Sequence, residues 1–183
     1  VESDKINLDE NIQEYLPDQL DDLVSGMSKL TTRMLLNHKS GLPEYNIQPA
    51  YISLLLQYPK RVFTPSEMLE FIRDKKPQFA PNERYLYANS NYLLLSIMAD
   101  EIPGDHQQYL YEHIFKPNHL DDTHYVVKPN ENYNNRLVNS YWDRFSDGVI
   151  ENSSVLLNSN TASMAGDDGM AASPADAITF LKL

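Results

Sequence analysis

Apolar residues return at helical spacing in several separate stretches, with turn-forming residues between them. Thr31-Thr32-Arg33-Met34-Leu35-Leu36-Asn37-His38 reads as a short helix that a Thr can cap and that Gly41, in a left-handed conformation, would end before Leu42-Pro43. Thr64, Pro65 and Glu67 form a capping box with proline at the first helical position, and Met68, Leu69, Phe71 and Ile72 follow at helical spacing. From Asn89 to Ile102 the apolar residues Tyr92, Leu93, Leu95, Ile97 and Met98 are dense enough to predict a helix buried on most sides, broken by Pro103-Gly104. Asp105 opens a further helix carrying Tyr109, Leu110, His113 and Ile114 up to Pro117, and Ser173-Pro174-Ala175-Asp176 repeats the cap-plus-proline pattern at a last one. Strand signals are few: Thr123 to Val127, rich in β-branched and aromatic residues, and the pair Tyr141-Trp142. The Asn-rich stretch 130–135 reads as a loop. The pattern predicts a mainly α protein with a few short strands, with no internal repeat to divide it.

Composition narrows the function. Hydrophobic residues at 42% and charged residues at 22% suit a folded domain, and runs such as Leu93-Leu94-Leu95 are far too short to cross a bilayer. A net charge of −11, without a cluster of Lys and Arg that reverses it locally, argues against nucleic-acid binding. The absence of cysteine excludes disulfides, thiolate metal sites and cysteine nucleophiles. None of the five histidines forms His-Glu-x-x-His; His106 and His113 share a helix face and read as surface residues. Asp121-Asp122 and Asp167-Asp168 lack the alternation of a calcium loop and read as acidic turns, so no metal or cofactor is expected. Neither a phosphate-binding glycine loop nor Gly-x-Ser-x-Gly occurs. The sequon Asn152-Ser153-Ser154 matters only in a eukaryotic secretory pathway. Val1 is not an initiator methionine, and residues 178–183 read as a helix still in progress, so the expectation is a single partial domain over residues 1–183.

Three segments, in one order, resemble the serine β-lactamase and DD-peptidase (penicillin-binding) superfamily, most of all its class C β-lactamase and esterase branch. The first is Leu8-Asp9 followed by Tyr15-Leu16-Pro17. The second, Leu35-Leu36-Asn37-His38-Lys39-Ser40-Gly41-Leu42-Pro43, is similar to the family's "LLNHTSGLP" turn. The third is Phe79-Ala80-Pro81 followed by Tyr85-Leu86-Tyr87-Ala88-Asn89-Ser90-Asn91, similar to "F-x-P-G … Y-x-N" with Asn82 where glycine is usual. Weaker likeness continues through Glu112 to Pro117, Asp122-Thr123, Ala165-Gly166 to Met170, and Ser173 to Asp176.

The resemblance implies a serine acyl-enzyme mechanism, in which a lysine one helical turn after the serine activates it. Tyr87 would be the proton carrier beside them, and Asn89 would hold the substrate amide or orient the lysine. A phenol ordinarily titrates near pH 10, so Tyr87 would need nearby cations to act as a base. His38 and Gly41 read as structural, His38 buried or capping and Gly41 a helix C-cap. By the same resemblance the substrate would be a small molecule or peptidoglycan peptide bearing an amide, ester or β-lactam, and the location periplasmic or secreted. The chain would be the helical region of an α/β fold with the central sheet largely missing, leaving an apolar face that tends to self-associate.

Two motifs of that mechanism are absent. No serine here has a lysine three residues later, and no Lys or His followed by a small residue and Gly comes after Asn89. Lys39-Ser40-Gly41 imitates the latter, but precedes Tyr87 and sits at a helix end. The alternative is a binding or scaffold protein that keeps the fold without the nucleophile.

Overall fold

The computed structural model describes residues 5–102, 104–125, 136–143 and 146–183. Pro103, Val126, Val127 and the Asn-rich stretch 130–135 lie outside the described residues. Helices dominate: α1 Thr32–Leu36, α2 Pro49–Gln57, α3 Pro65–Leu69, α4 Ser90–Glu101, α5 His106–Leu110, α6 Ser154–Ser163 and α7 Pro174–Phe180. The strands are two-residue pieces. β1 (His124–Tyr125) pairs antiparallel with β4 (Met170–Ala171), and β2 (Tyr141–Trp142) with β3 (Glu151–Asn152). The fold is thus mainly α with small sheets.

Local chemistry accounts for most helix starts. Thr31 accepts a hydrogen bond from the Met34 N–H, and Thr64 and Glu67 form both halves of a capping box at α3. Asp105 accepts from the N–H groups of Gln107 and Gln108, and Ser173 from that of Asp176. A π-helical turn, Tyr111–Phe115, continues α5.

Two helices carry no such side-chain cap and were not foreseen. In α2 only proline at the first turn marks the start. In α6 the buried residues are Ser159, Ala162 and Ser163, a face of small residues rather than an apolar stripe. The Ser163 hydroxyl gives α6 its purpose there, accepting the Phe63 N–H at 2.8 Å.

The core gathers Ile12, Leu16, Leu20, Leu23, Met27 and Leu30 from the N-terminal 3-10 turns with Leu35, Tyr45, Tyr51 and Phe63. Met68, Leu69 and Ile72 pack there with Leu93, Leu94, Ile97 and Met98 of α4. α4 is the axis of this cluster, packed against both α1 and α3. The N-terminal segment is also tied to α1 from outside: Arg33 grips Asp9 with two nitrogens at 2.7 and 2.9 Å, and its N–H donates to the Leu8 carbonyl at 2.9 Å.

His106 is not on the surface. Only 9% of it is exposed, and its ring sits between Asp100, which meets Nδ1, and the Tyr125 hydroxyl, 3.0 Å from Nε2. A helical face read from spacing cannot show that β1 folds back over α5 and the end of α4, and that contact is what buries the ring.

Candidate active site

The turn after α1 and the segment before α4, about fifty residues apart in sequence, form two sides of one hydrogen-bonded seam. The Leu86 N–H donates to the His38 carbonyl at 3.0 Å and the Asn82 N–H to the Lys39 carbonyl at 2.8 Å. Side chains close the rest. Ser40 donates its hydroxyl to Asn91 Oδ1, and Asn91 Nδ2 donates to the Ala88 carbonyl at 2.9 Å. The Ser90 hydroxyl donates to the Pro43 carbonyl at 2.7 Å and accepts from the Tyr45 N–H at 3.1 Å. Ser40, Ser90 and Asn91 are buried, and each has its partners.

Gly41 does not end α1. The left-handed residue after that helix is His38, with φ 52°, and the hydrogen bonds His38 N–H to Leu35 and Lys39 N–H to Met34 make a Schellman closure. Gly41, three residues on, has its own left-handed φ of 77° and a second requirement: a Cβ there would come within 2.3 Å of the Phe79 carbonyl oxygen. The glycine is demanded by the seam, not by the helix.

Tyr87 and Asn89 come together at the open edge of this seam. The Tyr87 hydroxyl donates to Asn89 Oδ1 at 2.7 Å, and the phenol is about half exposed at 53%. Asn89 is the first residue before α4, but its side chain makes no cap and is spent on Tyr87 instead. Its N–H donates to the Glu44 carboxylate at 2.6 Å, which anchors it to the strap following Pro43. The His38 ring lies against Tyr87 with centroids 4.4 Å apart.

The charges around Tyr87 are negative. Burial raises its pKa above the ordinary phenol value, and Asp168, Asp167 and Glu44 raise it further. Against these carboxylates the phenol holds its proton. Use as a base requires cations that the surrounding described residues do not provide.

Asp167 itself is a missed feature. Burial raises its carboxyl pKa to about 6, opposed by the Tyr45 hydroxyl, which donates to Oδ2 at 2.7 Å. Neighbouring Asp168 raises it too. Near pH 5 the folded chain therefore binds a proton that the unfolded chain has released, and this group's contribution to stability is lost as pH rises from about 4 to about 6. Asp167→Asn is expected to remove that dependence, read as a flatter profile of denaturation midpoint against pH over this window. No spacing in the sequence announces the pair, because Tyr45 and Asp167 are 122 residues apart.

A cavity of about 480 Å³ opens elsewhere, between β1, β4 and α6, lined in part by Asp122, His124, Leu157, Thr161, Met170 and Pro174. No residue of the Tyr87 group lines it.

A model of the family described as "Beta-lactamase" matches residues 1–183. A protein of Escherichia coli K12, provisionally named as a D-alanyl-D-alanine carboxypeptidase, is 26% identical over 129 residues, covering 68% of this chain and 29% of that protein. Among solved structures, a D-stereospecific amidohydrolase from Streptomyces sp. superimposes with a TM-score of 0.87 at 22% identity, covering 99% of this chain and 54% of that one. The D-amino acid amidase of Ochrobactrum anthropi SV3 gives a TM-score of 0.76 at 23% identity, covering 98% of this chain and 50% of that one. The chain thus spans under a third of the curated relative and about half of the solved ones.

Proposed function

The chain belongs to the beta-lactamase family, and from that membership we propose that the intact protein is a serine hydrolase working through an acyl-enzyme, with Tyr87 as its proton-transfer group. The observation that carries this reading is the pair Tyr87–Asn89, held at an open edge by the buried seam and joined by a 2.7 Å hydrogen bond. In the proposed step a serine, supplied with its activating lysine by sequence outside these 183 residues, gives its proton to that lysine as its oxygen attacks a carbonyl carbon. The lysine returns the proton to Tyr87 after Tyr87 has protonated the leaving group. The carbon–nitrogen or carbon–oxygen bond breaks, and Tyr87 hands its proton to the leaving group. A phenol kept protonated by Glu44, Asp167 and Asp168 suits that second role.

The names of the relatives point the substrate toward amides of D-amino acids and D-alanyl peptides; an ester or β-lactam is the same chemistry on a related acyl group. A periplasmic or secreted location is proposed on the same basis. Among the described residues no helix is long and apolar enough to cross a membrane.

The test is intact mass after exposure to a penicillin or an activated D-amino acid ester. An adduct on the full-length protein, lost when that serine is replaced, supports the reading. A second reading, a binding protein that has lost its nucleophile, draws on the carboxylates around Tyr87, which oppose use of the phenol as a base. It gains the lead if no donor acylates the full-length protein.

A further inference from the structure

His38 closes α1 in the left-handed region, where residues with a Cβ are uncommon and Asn, Asp and His are the ones most often found. At φ 52° Gly or Asn would close the turn at least as readily. What the histidine supplies is its ring, which lies among three tyrosines: Tyr87 at 4.4 Å, Tyr92 at 5.2 Å and stacked, and Tyr85 at 5.9 Å edge-on. Tyr87 is half exposed, and the His38 ring packs against it.

The tautomer of the neutral imidazole is also fixed. Nδ1 faces two donors, the Ala88 N–H at 3.4 Å and Asn91 Nδ2 at 3.3 Å. A backbone N–H can only donate, so Nδ1 carries a lone pair and, in the neutral ring, the proton sits on Nε2. Protonating Nδ1 would set N–H against N–H and break the link to the residue between Tyr87 and Asn89.

We propose that His38 is a positioning residue, a neutral imidazole that fixes the Tyr87 ring and the Ala88 backbone so that the phenol stands ready for proton transfer, and that acid releases this grip. The proposal rests on the reading of Tyr87 as the proton-transfer group. The titratable groups around the ring are Glu44 from the strap, Tyr85 and Tyr87 from the seam, and Tyr92 from α4. Burial is the largest influence on the His38 pKa and lowers it, so release comes on the acid side of an ordinary histidine. Asp167, whose carboxyl is raised to about 6, titrates with the opposite effect on stability, so the event is to be read at the site and not from global unfolding.

His38→Asn is the informative variant. Asn tolerates the left-handed backbone and can offer a carbonyl oxygen to Ala88, but it has no ring and does not titrate. In the full-length protein the expected result is kcat lower by about tenfold to a hundredfold, as small misplacements of a reacting group cost, with KM little changed and the acid limb of the pH–rate profile altered. In the unmodified protein the Tyr87 ζ-carbon NMR signal, assigned with Tyr87→Phe, is expected to shift with the same midpoint as the His38 ring signals.

Wild-type kcat and an unchanged acid limb in His38→Asn, beside an inactive Tyr87→Phe, would overturn the role of His38 alone. Full activity in Tyr87→Phe would sink the reading of Tyr87 and this proposal with it. If His38→Asn does not fold, the NMR titration decides: a common midpoint supports the coupling, and independent titrations reject it.

Discussion

Tyr87→Phe in the full-length protein is expected to lower kcat/KM by roughly 10²–10⁴-fold, the range a positioned general acid or base supplies. The change removes one oxygen and one hydrogen bond, that to Asn89 Oδ1. Because the phenol is half exposed, the ring stays and the fold loses little. Activity and stability should therefore separate. Steady-state rates fall steeply, while the denaturation midpoint moves by no more than a surface hydrogen bond would move it. Equal losses in both would mean that the hydroxyl serves the fold, and undiminished turnover would remove Tyr87 from the mechanism. Where chemistry limits turnover, the loss should appear in kcat, because the proton moves in the transition state and not on binding.

Gly41→Ala is expected to have the largest effect on stability, roughly 2–5 kcal/mol, from left-handed strain of about 1–2 and overpacking of about 1–3. The overlap is with the backbone carbonyl of Phe79 at 2.3 Å, which cannot swing aside as a side-chain end could. Moving it means opening the seam where the Gln78 N–H donates to the Gly41 carbonyl at 2.8 Å. Gly26→Ala is the control: φ is 95°, but nothing lies within 4 Å of the added methyl, so only strain of roughly 1–2 kcal/mol remains. Denaturant midpoints of the two variants check this. Equal losses would show that the Phe79 contact relaxes and that the conformation of Gly41 alone matters.

The two effects meet in one place. The turn that Gly41 permits carries His38 against Tyr87, Ser40 against Asn91 and Glu44 against Asn89. A packing error at Gly41 is therefore also expected to disturb the Tyr87–Asn89 pair.

What the sequence could determine by itself was whatever depends on near neighbours. A Thr, Asp or Ser before a helix finds its N–H partner two or three residues away, so the starts of α1, α3, α5 and α7 were legible from short patterns. The apolar density of α4 likewise announced its burial, and the ordered motifs marked Tyr87 and Asn89 as belonging to one site by resemblance. The unseen parts were long-range. α6 hides small residues rather than an apolar stripe, and its polar partners are the Phe63 backbone and the Tyr51 hydroxyl, each about a hundred residues earlier. His106 is buried by a strand that comes back over it, and Gly41 is needed by a carbonyl 38 residues later and not by the helix it follows. The carboxylates that keep Tyr87 protonated come from residue 44 and from residues 167 and 168, which only the folded chain brings to one phenol. Periodicity and capping report contacts closed within a turn or two of backbone; charge, burial and close approach are set by which distant segments fill the same space, and that was decided by the tertiary structure alone.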